Sequence, residues 1–186
     1  MSIESLKQTF DLKFQFLHFP LHPETPDEGI ELSRLFPNRD PEEMKAVGSH
    51  LRHLMEEADL PYGKRERTYN SRLAQEFAAW GDAETDAVDR IHDALFGAYF
   101  VDNRNIGSVE VLVEIAQDLA LDDKRAEEAL RHRLYSPKVN EDWQRAWATG
   151  VTGVPTFTAK ELYVYGHQPP EVLGRFIKHL ETIDSN

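Results

Sequence analysis

The chain has 186 residues, no cysteine and a net charge of −12 at neutral pH. The missing thiols exclude disulfides, thiolate metal ligands and a cysteine nucleophile within this sequence, and the acidic balance disfavours a nucleic-acid partner. With 40% hydrophobic and 29% charged residues and no long apolar run, the composition is typical of a globular protein that does not cross a membrane. The N-terminal MSIESLKQTF lacks the basic start and apolar core of a signal peptide, so we expect a cytoplasmic location.

The N-terminal part predicts one strand, one long loop and one well-marked helix. Residues 11–19 (DLKFQFLHF) begin by alternating apolar and polar side chains and then become apolar throughout, which favours a buried strand. Residues 20–29 hold three prolines and a glycine and predict a loop. Asp40 followed by Pro41 predicts the cap and the first position of a helix that ends before Pro61.

Helices dominate the middle of the chain, and the apolar period changes to two after Gly150. Trp143 and Trp147 lie one helical turn apart, which predicts two core residues. Lys160 and Glu161 predict the turn of a hairpin. The predicted helices are 70–81, 82–103, 108–121, 122–135, 136–150 and 169–183, and the predicted hairpin strands are 155–159 and 162–166.

Five stretches of this sequence resemble the DsbA-like thioredoxin-fold family, and FrnE-type disulfide oxidoreductases in particular. Relatives in that group are 2-hydroxychromene-2-carboxylate isomerases and kappa-class glutathione transferases. The resemblance implies an α/β thioredoxin-like fold with a large helical insertion, as a single domain over residues 1–186. Residues 1–35 and 150–186 would form the thioredoxin-fold part, and residues 40–149 the insertion and the following helix. The stretches are FPLHPETP (19–26), TYNSRLAQEFAAW (68–80), YFVDNRNIG (99–107), GVTGVPTF (150–157) and YGHQPPEVL (165–173).

The resemblance implies a substrate-facing surface at Val154, Pro155 and Thr156. In the family the corresponding proline is cis, and a cis bond before proline lies only about 0.5–1 kcal/mol above trans. Such a bond would turn the Val154 backbone towards an extended thiol peptide, which would pair with it as a short β-bridge. An ordinary trans-proline loop at the end of a helix is the alternative interpretation.

Family members carry Cys-x-x-Cys, or a serine in the glutathione-using relatives, at the start of a first helix, and this sequence has neither the motif nor the strand before it. Residues 2–10 resemble the second half of that helix. Without the first strand, we expect a gap beside the hairpin with unpaired edges. The strand near Leu12 would move across, a partner chain would fill the gap, or the natural protein would begin further upstream.

Three polar residues outside the Val-Pro stretch are further candidates for substrate binding. Asn70 is either the cap of its helix or a residue of the active cleft, as the resemblance implies. Arg72 has a planar guanidinium suited to a carboxylate. Asn105 belongs to a polar group, residues 103–105, that resembles the cleft edge of the family.

Histidines provide weaker candidates. His50, His53 and Glu57 have the spacing of ligands on one helical face, but that face points away from the apolar stripe, which favours a solvated surface over a metal site. His18 and His22 stand at the start of the long loop, where they have either a structural role or a role in a cleft.

Three functions remain open at the level of sequence. The resemblance implies a thiol–disulfide oxidoreductase family member that is itself redox-inactive because it lacks cysteine. A peptide- or glutathione-binding module without catalysis, or a glutathione-dependent isomerase or transferase, are the alternatives. The expected partners are a thiol or disulfide protein, a peptide or glutathione, and an exposed strand edge also favours a homodimer. No cofactor other than glutathione is expected.

Overall fold

The structure is a computed structural model and describes residues 6, 9–35 and 37–184. The predicted helical segment at residues 2–10 lies largely outside the described residues. The chain divides into two compact units, one formed by residues 1–21 and 141–186 and the other by residues 22–140. The predicted single domain with its insertion at residues 40–149 stays a prediction.

The described part of the chain is mostly helical, with two small antiparallel sheets. A π-helical turn, Gly97–Val101, continues directly from the helix before it. The strands are β1 (Ile30–Glu31), β2 (Arg67–Thr68), β3 (Thr156–Ala159) and β4 (Leu162–Tyr165). The helices are α1 (Leu32–Leu35), α2 (Pro41–Glu57), α3 (Arg72–Glu84), α4 (Val88–Phe96), α5 (Val109–Asp118), α6 (Asp123–Arg131), α7 (Ser136–Ala148) and α8 (Pro170–Asp184).

The hairpin β3–β4 and the helix α8 form the core of the first unit. Thr156 pairs with Tyr165 and Ala159 with Leu162, so the turn falls at Lys160 and Glu161 as predicted. Since side chains alternate across a strand, one face of the hairpin is apolar and packs on the apolar face of α8. The packed residues are Leu6, Phe10, Leu12, Phe14, Phe157, Val164, Leu173 and Ile177.

The predicted strand at residues 11–19 is wrong, because those residues adopt no regular secondary structure. The alternation that suggested it is nevertheless real. Leu12 and Phe14 pack into the core of the first unit, whereas Lys13 and Gln15 are exposed. In the described residues β3 pairs with β4 and with no other strand, so the segment near Leu12 has not moved across to join the hairpin.

The second unit is built from α3, α4, α5 and α6 around a dense apolar core. Local capping fixes where two of these helices begin: Ser108 accepts from the Val111 N–H, and Asp122 accepts from the Arg125 N–H. The largest fully buried apolar side chains of this core are Phe77, Trp80, Ile91, Leu112 and Leu130.

Two local predictions fail in the helical region. The helix predicted over residues 82–103 is broken, since α4 begins at Val88 and gives way to the π-helical turn at Gly97. Trp147 is 58% exposed and is therefore no core residue. Among the described residues no helix combines the length and the hydropathy that a membrane crossing requires.

Candidate functional site

The first unit contains a cleft of about 480 Å³ beside the hairpin. One wall is the extended segment 17–19, and the second is the end of α7. The third is the hairpin together with Val151 and Val154, which come shortly before it in the chain. The cleft therefore adjoins the Val-Pro segment singled out in the sequence. Its lining consists of residues 17–19, Arg145, Ala146, Thr149, Val151, Val154, Thr156 and residues 158–163.

Val154 presents its backbone at this cleft. The Val154–Pro155 peptide bond is cis, and Val154 is 48% exposed. In the described part of the chain, neither the N–H nor the C=O of Val154 has a hydrogen-bond partner. The neighbouring groups are occupied, because the Pro155 C=O accepts from the Gly166 N–H at 2.8 Å and the Thr156 hydroxyl donates to the Gly153 C=O at 2.6 Å. Val154 therefore offers one donor and one acceptor.

A buried histidine–aspartate pair adjoins the cleft. His18, in the wall segment, and Asp142, on α7, join Nδ1 to Oδ2 at 2.8 Å, and the His18 backbone N–H donates to the same carboxylate at 3.3 Å. Both side chains are nearly inaccessible to solvent. The contact with the carboxylate fixes the orientation of the imidazole ring, and Nδ1 donates to it when that nitrogen carries the proton.

Asn70 and Asn105, both predicted as cleft residues, serve as structural ties within the second unit. Asn70 Oδ1 accepts from the Arg72 N–H at the start of α3, and its Nδ2 donates to the Thr25 C=O at 2.7 Å. Asn105 Oδ1 accepts from the Gly107 N–H, and its Nδ2 donates to the Asp27 C=O, both at 2.9 Å. Both amides thus anchor the loop that holds residues 22–27, and a role in ligand binding stays a prediction.

Arg72 is held by a network around a buried carboxylate. Its Nε donates to Glu76 at 2.6 Å, and its Nη2 donates to the Asn140 side chain at 2.7 Å. Arg133 donates to both oxygens of Glu76 at 2.7 Å. Burial raises the pKa of Glu76, but the hydrogen bonds from Arg133 and Arg72 outweigh it and hold that pKa below its ordinary value. The Arg72 guanidinium thus holds an internal carboxylate, and a role in binding a substrate carboxylate stays a prediction.

The histidine candidates separate into different environments. His50 and His53 are exposed on α2, and His53 lies 3.5 Å from Glu57. No group of three potential metal ligands occurs in the part of the chain that the structure describes. The exposure of His50 and His53 agrees with a solvated face, and the absence of a metal site there stays a prediction. His22, in the second unit, lies 3.6 Å from Glu24, whereas His18 belongs to the first unit.

Sequence reasoning missed Asp142 and Arg145 as residues at or next to the cleft. The sequence carries a signal for Asp142. This aspartate shares a face of the predicted helix with the small residues Ala146 and Thr149, which follow it by four and seven positions. An aspartate on such a face needs a partner in the fold. No comparable signal marks Arg145.

A comparison with protein families assigns the chain. The model of the DSBA-like thioredoxin domain matches residues 1–178. The protein therefore belongs to the DSBA-like thioredoxin domain family, and the predicted fold class is confirmed. It is a member without cysteine in the sequence given.

Individual relatives are distant. The Bacillus subtilis (strain 168) uncharacterized protein YwbO is 27% identical over 84 residues, which is 45% of this chain and 42% of that protein, so the match spans about two fifths of the relative. A solved 2-hydroxychromene-2-carboxylate isomerase is similar in structure, with a TM-score of 0.73 at 17% sequence identity. The similarity covers 99% of this chain and 90% of the isomerase chain. The cytosolic disulfide reductase DsbM from Pseudomonas aeruginosa, solved with glutathione, is similar with a TM-score of 0.54 at 16% identity. The similarity covers 71% of this chain and 74% of the DsbM chain.

Proposed function

We propose that this chain is a non-redox member of its family that binds extended thiol peptides or glutathione in the cleft of the first unit. The observation that carries the proposal is the unpaired N–H and C=O of Val154 at the rim of that cleft, together with the lack of any cysteine in the sequence. An extended ligand backbone satisfies both groups at once.

The edge of the hairpin extends the same recognition surface. Within the described residues β3 is bonded to β4 alone, so its other edge has no strand partner. Unpaired edges recruit extended segments, because each added residue pairs backbone groups that otherwise face water. A peptide bound at Val154 would therefore continue along Thr156 and Thr158, whose side chains line the cleft.

Charges at the cleft suit a ligand that carries a carboxylate. Arg145 and Lys160 line it, and Glu161 offsets one of these positive charges. Glutathione has an extended backbone and two carboxylates, and the neighbour DsbM was solved with it. The cleft volume of about 480 Å³ falls within the roughly 300–1,000 Å³ range of small-molecule sites.

Calorimetric titration of the full chain with glutathione and, separately, with an extended hexapeptide tests the proposal. Thr158→Trp fills the cleft and should weaken binding at least tenfold. Val154→Ala should change it less than about threefold, because the backbone and not the side chain makes the contact. Thr152→Trp adds the same ring at an exposed position outside the cleft and serves as the matched control.

Two results would overturn this function. The first is the absence of heat with both ligands in the wild-type chain. The second is an equal loss of affinity in the Thr158 and Thr152 variants, which would place the ligand elsewhere. Binding of only one of the two ligands, glutathione or the hexapeptide, would identify the ligand class.

A second copy of the chain is another occupant of the same strand edge, as the exposed edge predicted. Sedimentation at increasing concentration distinguishes it from a peptide site. If a dimer forms and dissociates when the hexapeptide is added, the partner chain and the peptide bind the same edge of β3. If the chain stays monomeric and binds the peptide, the β3 edge is a ligand site and not a dimer interface.

A glutathione-dependent isomerase is the second candidate, and His18 favours it. A histidine oriented by a buried carboxylate is a common proton-transfer group, and this one lines the cleft. The solved 2-hydroxychromene-2-carboxylate isomerase is similar over 99% of this chain. Isomerisation of that substrate by the chain with added glutathione, lost in His18→Asn, would support it. Activity unchanged by the substitution would exclude the histidine from the reaction.

The finer assignments belong to the same proposal. A FrnE-type affiliation rests on the tandem of GVTGVPTF and YGHQPPEVL. A cytoplasmic location is supported by a structural neighbour that is described as cytosolic. Fractionation of the native source, with the protein detected by mass spectrometry, tests the location.

A further inference from the structure

The second unit contains a cavity of about 520 Å³ that the proposed function does not use. It lies between α1, α2 and the segment 62–65, all within residues 22–140. Its lining holds no acidic residue, although the chain has 33 acidic and 21 basic residues. The five charged residues that line it are all cationic: Arg39, Lys45, Arg52, Lys64 and Arg65.

The cavity lining keeps a positive charge after its ion pairs with acidic residues are taken into account. Lys64 is neutralised by Glu66, whose carboxylate lies 2.6 Å from its ammonium group. Lys45, Arg52 and Arg65 take part in no ion pair with any described residue. Three cationic side chains thus face one cavity in a protein whose net charge is −12, and their mutual repulsion is relieved when an anion binds between them.

Aromatic rings hold two of these guanidinium groups in place. Arg65 lies 4.3 Å from the centroid of the Tyr99 ring and donates from Nη2 to the Tyr99 hydroxyl at 2.9 Å. Arg52 lies 5.5 Å from the centroid of the Tyr62 ring. Side chains held before binding lose less conformational entropy when a ligand arrives, which favours recognition of an anion by a planar guanidinium.

Arg65 also carries a donor that lacks an acceptor. Its Nε is buried and has no hydrogen-bond partner in the described part of the chain. A buried donor without a partner is unfavourable, so native structures rarely keep one unless a ligand or water supplies the acceptor. An acceptor brought by a ligand or by water would satisfy this donor.

We propose that this cavity binds a small organic polyanion, a molecule with two or more phosphate or carboxylate groups. Phosphate and carboxylate oxygens share the geometry that guanidinium groups recognise. Leu32, Met44 and the Tyr62 ring provide apolar wall for the carbon skeleton. The volume suits a small molecule.

Calorimetry of the full chain with pyrophosphate and with citrate, at low ionic strength to limit screening, tests the site. We expect one saturating site, with the tighter probe distinguishing phosphate from carboxylate chemistry. The double variant Lys45→Gln/Arg52→Gln should bind at least tenfold more weakly. The control Lys13→Gln/Lys124→Gln removes two exposed positive charges outside the cavity and should stay within twofold.

A second pair of variants tests the cavity without changing its charge. Gly48 lines the cavity, and a Cβ built on it meets nothing within 4 Å. Gly48→Leu fills the space and should weaken binding at least fivefold while the melting temperature holds or rises, since glycine is a poor helix former. Gly48→Ala should keep the affinity.

The proposal is overturned if neither polyanion binds the wild-type chain. It is also overturned if both double variants lose affinity equally, because the binding is then a general response to charge. Full affinity in Gly48→Leu would show that the ligand lies outside the cavity. These results are independent of the cleft in the first unit, whose variants are scored with glutathione and peptide.

Discussion

Glu76 shows how a single buried charge is stabilised in the second unit. Its side chain is 1% exposed and accepts hydrogen bonds from Arg72 and Arg133. Removing one member of a buried ionic group leaves its partners without compensation, which typically destabilises a protein by about 3–5 kcal/mol. Because Arg133 is half exposed and can turn to water, Glu76→Gln should lower the free energy of unfolding by about 2–3 kcal/mol.

Urea denaturation monitored by circular dichroism measures this effect. Glu127→Gln is the matched control, since Glu127 accepts from Arg131 at 2.7 Å in an exposed pair. Exposed pairs contribute about 0–1 kcal/mol, so the control should differ little from the wild-type chain. Equal effects in the two variants would show that the Glu76 network contributes no more than a surface pair.

The lowered pKa of Glu84 makes the stability of the fold depend on pH. Hydrogen bonds from Arg125 and Tyr135 lower the pKa of Glu84 from 4.5 to about 2. Because the folded pKa lies below the unfolded one, this carboxylate stabilises the fold above pH 4.5 and loses that contribution as the pH falls towards 2. The melting temperatures of the wild-type chain and Glu84→Gln should therefore differ at pH 6 and converge in acid. A difference that stays constant with pH would contradict this.

At the scale of elements, α2 differs from the other long helices of its unit. None of its described side chains is fully buried, whereas α3 buries seven residues, including Phe77 and Trp80. Helices without buried apolar contacts open locally at low free energy. We expect the amides of α2 to exchange with deuterium at least tenfold faster than those of α3. Mass spectrometry with peptide resolution measures both, and equal protection would show that α2 is packed as firmly as the core.

The elements that the sequence predicted are those that local chemistry determines. Asp40 caps α2 by accepting from the Glu42 N–H, and Pro41 begins the helix, as expected from two adjacent residues. The pair β1–β2 was not predicted because Ile30 pairs with Thr68 across a long stretch of chain, and a strand of two residues is too short to show a period. The strand at 11–19 failed for the converse reason: a strand exists only with a partner, and alternation supplies none.

The candidate site was predictable where its signal was a motif and not where it depended on packing. Val154 and Thr156 were found from the Val-Pro stretch, and both line the cleft. Asn70 and Asn105 were chosen by resemblance, yet their amides bind backbone carbonyls of the same unit. The contact between His18 and Asp142 joins residues 124 positions apart, so no local pattern encodes it.

For the molecule as a whole, the lack of cysteine in the sequence given leads to a prediction about disulfide chemistry. Reduction of a disulfide requires a thiolate nucleophile, and the sequence given supplies none. The chain should leave the rate of insulin reduction by dithiothreitol at its uncatalysed value, as measured by turbidity. A heat-denatured sample at the same concentration is the control. A rate above that control would show that the chain promotes the reaction without a thiol of its own.

The three tryptophans give each unit its own optical signal. Trp80 is buried against Phe77 in the second unit, and its emission should be blue-shifted and inaccessible to iodide. Trp143 and Trp147 belong to the first unit, where their ring centroids lie 6.1 Å apart and Trp147 is open to solvent. Because Arg145 on the same helix lines the cleft, the red-edge emission should respond to a ligand there while the blue edge stays constant. Intrinsic fluorescence can thus follow the cleft without an attached dye.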